Sequence, residues 1–153
     1  MANEAGPAAQ KTIPVNELKP LLPDVAGAWR RTAIDVDLPR GSLVQTSVVR
    51  ARYADRKQQV LLTVSDWGVL AGAPWPATAH EREVDGGKEK SYVQDRRLVR
   101  ELAVPRGRSE LTVTLANGVV VQASGDKVEL ASLKALVDAL DLSRIEALKR
   151  PDR

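Results

Sequence analysis

Leu111-Thr112-Val113-Thr114-Leu115-Ala116-Asn117-Gly118-Val119-Val120-Val121-Gln122-Ala123 decides the fold, because two runs of alternating apolar residues flank a turn dipeptide. A two-residue loop at Asn117-Gly118 would set Leu115 against Val120, Val113 against Gln122 and Leu111 against Ser124, mixing polar groups into the apolar face. A three-residue loop of Ala116, Asn117 and Gly118, with Gly118 left-handed in a bulge, sets Leu115 against Val119, Val113 against Val121 and Leu111 against Ala123. The second register keeps the apolar face whole, so the sequence predicts that hairpin.

Towards the C-terminus, Asp126 and Glu129 stand at the spacing of a capping box, and Leu130, Leu133, Leu136, Val137 and Leu140 form the stripe of an amphipathic helix. Asp141 and Ser143 then signal the start of a second short helix carrying Leu142, Ile145 and Leu148, which Pro151 closes.

Towards the N-terminus the period is again two. Residues 97–104 read as a strand, and residues 83–85 and 89–94 read as two strands joined by Gly86-Gly87. Residues 59–66 form a strand with Val60, Leu62 and Val64 inward. Residues 43–53 form another, with Ser47, Val49, Ala51 and Tyr53 on one face and Arg50 and Arg52 on the other. Thr32, Ile34, Val36 and Leu38 alternate with Arg31, Ala33, Asp35 and Asp37 in an antiparallel partner, linked through a turn at Pro39-Arg40-Gly41-Ser42. Asn16 is placed to cap a short helix ending at Leu22, with Leu18, Leu21 and Leu22 as its apolar positions and Pro23 as its stop. Residues 1–12 read as a flexible arm, which leaves residues 13–150 as one domain. The fold class is therefore α+β: a single, mainly antiparallel, twisted sheet of five to seven strands, with a short N-terminal helix and a C-terminal helix packed on one face.

Composition narrows the chemistry. Among 153 residues there is no Cys and one His, which excludes disulfides, thiolate metal sites and sites built from two or more histidines within one chain. No cofactor or metal is implied, and no catalytic residue is assigned, because no nucleophile, base and orienting group can be placed together. The net charge of +3 is far below that of a dedicated nucleic-acid binder. There is no apolar run of membrane-spanning length and no secretory leader, so the chain reads as cytoplasmic as written. Removal of an N-terminal signal or lipoprotein anchor would instead place it in the periplasm or cell envelope.

The order of short helix, antiparallel strands, long loop, further strands and closing helix, over residues 16–148, resembles the Mog1/PsbP-like domains. It is also similar to small bacterial envelope lipoprotein domains of unknown function, which have counterparts of Val64-Ser65-Asp66 and Leu140-Asp141-Leu142. The resemblance implies an accessory or binding role without a shared active site.

Several groups of residues invite a functional reading. His80 and Glu83 lie on opposite faces of any strand, too few and too far apart for a metal site. Asp35 and Asp37 share a solvent face. Lys88, Lys90, Arg96, Arg97, Arg100, Arg106 and Arg108 outnumber Glu89, Asp95 and Glu101 and would form a positive patch if they shared a face. Tyr92 alone is available among them for stacking on bases, which makes nucleic acid the less favoured partner. Residues 67–78 form a loop longer than a compact domain normally leaves unstructured, and it holds Trp67, Pro74, Trp75 and Pro76. Tryptophan on a proline-stiffened backbone is either a small satellite core or a rigid anchor for a partner. The expected function is a non-catalytic binding or accessory module that contacts an unidentified protein through this loop. The alternative is an anionic-polymer binder acting through the basic strand, and an enzyme ranks third.

Overall fold

The hairpin closes in the register its apolar residues require. Leu111 pairs with Ala123 and Val113 with Val121, the Leu115 amide donates to the Val119 carbonyl at 2.8 Å, and Gly118 takes φ +90°. The structure, a computed structural model, describes residues 12–37, 46–68, 80–84 and 86–151. The turn at Pro39-Arg40-Gly41-Ser42 and the loop residues Pro74, Trp75 and Pro76 lie outside them.

Nine strands form one antiparallel sheet among the described residues: β1 (Val25–Ala26), β2 (Trp29–Asp37), β3 (Ser47–Asp55), β4 (Gln58–Asp66), β5 (His80–Val84), β6 (Gly87–Gln94), β7 (Arg97–Ala103), β8 (Arg108–Thr114) and β9 (Val120–Asp126). Their order is β1-β2-β3-β4-β9-β8-β7-β6-β5. Two meanders, β1 to β4 and β5 to β9, are thus zipped together where β4 pairs with β9. The expected five to seven strands become nine. Val25 and Ala26 fold back on Arg30 and Trp29 through a turn at Gly27 (φ +64°), and the 83–94 excursion continues the same sheet.

A bulge between Arg31 and Ala33 corrects the simple alternation read from β2. The extra residue, Thr32, is exposed, and the shift brings buried Trp29 onto the same face as Ile34 and Val36.

The core lies on one face of the sheet, lined by Val49, Ala51, Tyr53, Val60, Leu62, Val64, Val113 and Val121. Two lids cover it. Helix α2 (Leu130–Asp138) packs on β7, β8 and β9, burying Leu133, Leu136 and Val137, and α3 (Leu142–Glu146) adds Ile145. The second lid is helix α1 (Val15–Leu18), continued by a 3-10 turn at Lys19–Leu21; it rests on β3 and contributes Leu18 to the core. Ile13 and Leu22, on either side of it, are also buried. Thr12, the last residue of the stretch read as an arm, is buried.

Two expected caps are not formed. Asn16 lies inside α1, whose N-cap is Pro14. Asp126 is consumed by β9, where it pairs with Arg108, so Glu129 becomes the N-cap of α2 itself and makes no side-chain capping bond. Asp141 does cap α3, accepting from the Arg144 amide at 3.0 Å.

Candidate functional site

Trp67 follows the last residue of β4 and is 45 % exposed. Its indole Nε1 donates to Ser65 Oγ at 3.0 Å, which fixes the ring's polar edge and leaves much of its apolar surface to solvent.

The backbone beneath Trp67 is locked by Asp66, which is fully buried. Its carboxylate accepts from the amides of Ile13 (2.8 Å) and Gly68 (3.0 Å), and Arg150 donates to it through Nε (3.1 Å) and Nη2 (2.5 Å). Beside it, Thr12 Oγ1 and Ser47 Oγ are 2.6 Å apart. One carboxylate thereby joins the N-terminal segment, the end of β4 and the C-terminal tail. The sequence carried a signal for this: Val60, Leu62 and Val64 point inward at period two, which places Asp66 inward as well. An acid at an inward position needs partners.

The basic residues do not form one patch. Lys88, Lys90 and Arg97 lie on the core-side face of the sheet, whereas Arg100 and Arg108 lie on the opposite face. Arg96 and Arg106 occupy turns with φ of +63° and +59°. Arg97 forms a two-pronged pair with Glu146 on α3, at 2.7 and 2.9 Å. Arg100 pairs with Glu89, which also accepts from Arg82 Nε at 2.7 Å. Arg108 pairs with Glu110 at 2.8 Å. Lys88 and Lys90 stand across the strands from Glu83 and Glu81. Turns at residues 95–96 and 104–107 and the alternation of the strands scatter the charges, so the condition for a single patch is not met.

A crevice of about 280 Å³ between α2 and the sheet includes Tyr92, Arg97, Lys134 and Asp138 in its lining. Buried Glu101 lies against it, accepting from Tyr92 Oη at 2.5 Å and pairing with Lys134 Nζ at 3.0 Å. Lys90 Nζ lies 5.6 Å from the Tyr92 ring centre, within cation–π range. Burial acts to raise the Glu101 carboxyl, but the hydrogen bonds from Tyr92 and Lys134 outweigh it and hold the group below its ordinary value. Burial, followed by the bond to Glu101, pushes Tyr92 up to about 12. A protonated phenol and an ionised carboxylate, neither poised near neutrality to exchange a proton, share this cluster with the Lys134 side chain. Glu101 again follows an inward parity, from Val99.

Among the described residues no group of three or more His, Asp or Glu could hold a metal ion, and no helix is long and apolar enough to cross a membrane. Asp37 is drawn below its ordinary value first by its hydrogen bond from Arg50, the arrangement of an exposed ion pair. Comparison of the chain with family models, curated proteins and solved structures finds no match.

Proposed function

We propose that this chain is a non-catalytic binding or accessory module whose contact with a protein partner centres on Trp67 and the loop that follows, including Pro74, Trp75 and Pro76. The observation that supports this most directly is a half-exposed tryptophan mounted on a strand end that Asp66 and Arg150 hold rigid. A large side chain on a fixed backbone loses little freedom when it is covered, so little of the contact energy is spent on ordering. The resemblance to Mog1/PsbP-like domains points to the same class of function.

Purified wild-type and Trp67→Ala chains would be compared in partner capture from the native host and in thermal unfolding. The expected result is loss of the captured protein with unfolding shifted by less than about 1 kcal/mol, since hot-spot tryptophans act on binding and an exposed ring contributes little to the core. Early unfolding of about 3 kcal/mol or more would assign the ring to a satellite core, and unchanged capture would remove it from the contact.

A further inference from the structure

At the end of the sheet opposite Trp67, the core-side row consists of Ala103, Ser109 and Gly125, paired across β7, β8 and β9. The next row inward holds Glu101, Leu111 and Ala123. Ala103 and Ser109, two small side chains side by side, floor a depression, and the structure has there a groove of about 720 Å³, within the size range of small-molecule sites. Val128 forms a wall of the groove, seated so closely on Gly125 that a Cβ there would lie 2.7 Å from its Cγ2. Val104, Pro105 and Leu130 supply further apolar surface.

Three features give this groove a polar demand that the described residues leave unmet. Ser109 lines it, is 5 % exposed, and its hydroxyl has no hydrogen-bond partner among the described residues. Buried hydroxyls are nearly always partnered. Glu129 and Leu130 also line it, at the start of the nine-residue α2, whose first amides receive no side-chain cap. Such amides favour a negative group. Arg106 and Lys127 complete the lining, each left-handed at φ +59°. Their turns are joined by the Lys127 amide donating to the Gly107 carbonyl at 2.8 Å. Neither cation has an ion pair among the described residues, and Glu129 is the single carboxylate in the lining, so the rim carries net positive charge.

We propose that this groove binds a free amphipathic anion, a hydrocarbon body ending in one carboxylate, of the size of a medium-chain fatty acid. The hydrocarbon packs on Val104, Pro105 and Leu130. The carboxylate takes the donors that share the groove, namely the Ser109 hydroxyl, the first amides of α2, and Arg106 and Lys127. This site is separate from the Trp67 contact, and neither reading depends on the other.

The test uses the whole chain and decanoate below its micelle-forming concentration, followed by amide chemical shifts and calorimetry. Acetate serves as the head group alone and decyltrimethylammonium as the same chain with opposite charge. The expected result is saturable one-site binding of decanoate with shifts confined to residues 103–109 and 125–131, and at least tenfold weaker binding of both controls. Arg106→Asn combined with Lys127→Asn removes the rim charge while keeping a residue that tolerates left-handed backbone; it should weaken decanoate at least tenfold. Ala103→Leu should fill the groove and abolish binding. Absence of saturable decanoate binding, equal binding of the cationic chain, or unchanged affinity in the double asparagine variant would each overturn the proposal. The last holds even if Ala103→Leu fails to fold.

Discussion

The two ends of the sheet differ in how completely their buried polar groups are partnered. At the Trp67 end, buried or half-buried polar groups that could be left over are partnered. Asp66 accepts four hydrogen bonds from Ile13, Gly68 and Arg150. Asn117 Nδ2 donates to the carbonyls of Ile145 and Leu148 at the end of α3 (3.0 and 3.2 Å). Glu146 accepts from Arg97 and from the Ala116 amide (3.0 Å). At the other end, Ser109 and the start of α2 have no such partners among the described residues. Partnered polar groups fix a structure, whereas an unpartnered one is a departure from the rule that calls for an explanation. On the two proposals above, the first end frames Trp67 and the second is where a ligand would supply the missing partners.

The largest test of that contrast is Asp66→Ala. It strips partners from the amides of Ile13 and Gly68 and releases the part-exposed Arg150, and the expected loss is about 3 kcal/mol or more, most of it from the two unmet buried amides. Urea unfolding with an unchanged slope would read it. A loss below about 1 kcal/mol would mean that apolar packing, not this carboxylate, holds the end together. Gly118→Ala probes the same end through the backbone alone. At φ +90° the added Cβ should cost about 1 kcal/mol with no contact removed. An unchanged melting temperature would place that strain elsewhere.

How much of this was legible follows from what period-two alternation can and cannot encode. The 111–123 hairpin was readable because an apolar face admits one register there. The α2 stripe was readable for the same reason, and Leu133, Leu136 and Val137 are buried as it requires. The bulge in β2 was not readable, since one residue inserted between strands leaves no mark on the composition of either face. The capping box failed because the strand-pairing of Asp126 with Arg108 overrode a local helix signal. Asp66 and Glu101 were legible in parity, as acids at inward positions. Their partners were not, because Ile13, Arg150 and Lys134 reach them from distant parts of the chain. The scattering of the basic residues depended on strand faces and turns together, which counting charges ignores.

A smaller effect comes from pH. The hydrogen bonds from Arg97, first in weight and opposed by burial, hold the Glu146 carboxyl below the ordinary 4.5. A carboxyl depressed by folding contributes stability above its unfolded value and loses it as pH falls through the folded value. Stability at the Trp67 end should thus weaken below about pH 4.5, and Glu146→Gln should flatten that acid limb while lowering stability at neutral pH. An acid limb identical in the two proteins would show that other carboxyls, such as Glu89 and Glu101, carry it.

The smallest effect should have the opposite sign. Ser109→Ala removes a buried hydroxyl that has no partner among the described residues, and nothing else that packs. A partnered serine would lose about 1 kcal/mol on this change, because its bond goes and its partner is stranded, whereas an unpartnered one sheds only an unmet desolvation cost. The expected result is therefore between no change and about 1 kcal/mol of stabilisation by urea unfolding, against the large loss at Asp66. The same variant should weaken decanoate, because the hydroxyl contributes to the bound state and not to the free fold. If Ser109→Ala destabilised the chain, the hydroxyl would have a structural partner and the two ends would not differ in kind. If it stabilised the chain and left decanoate binding untouched, the contrast would stand, but the carboxylate would rest on the rim cations and the α2 amides without Ser109.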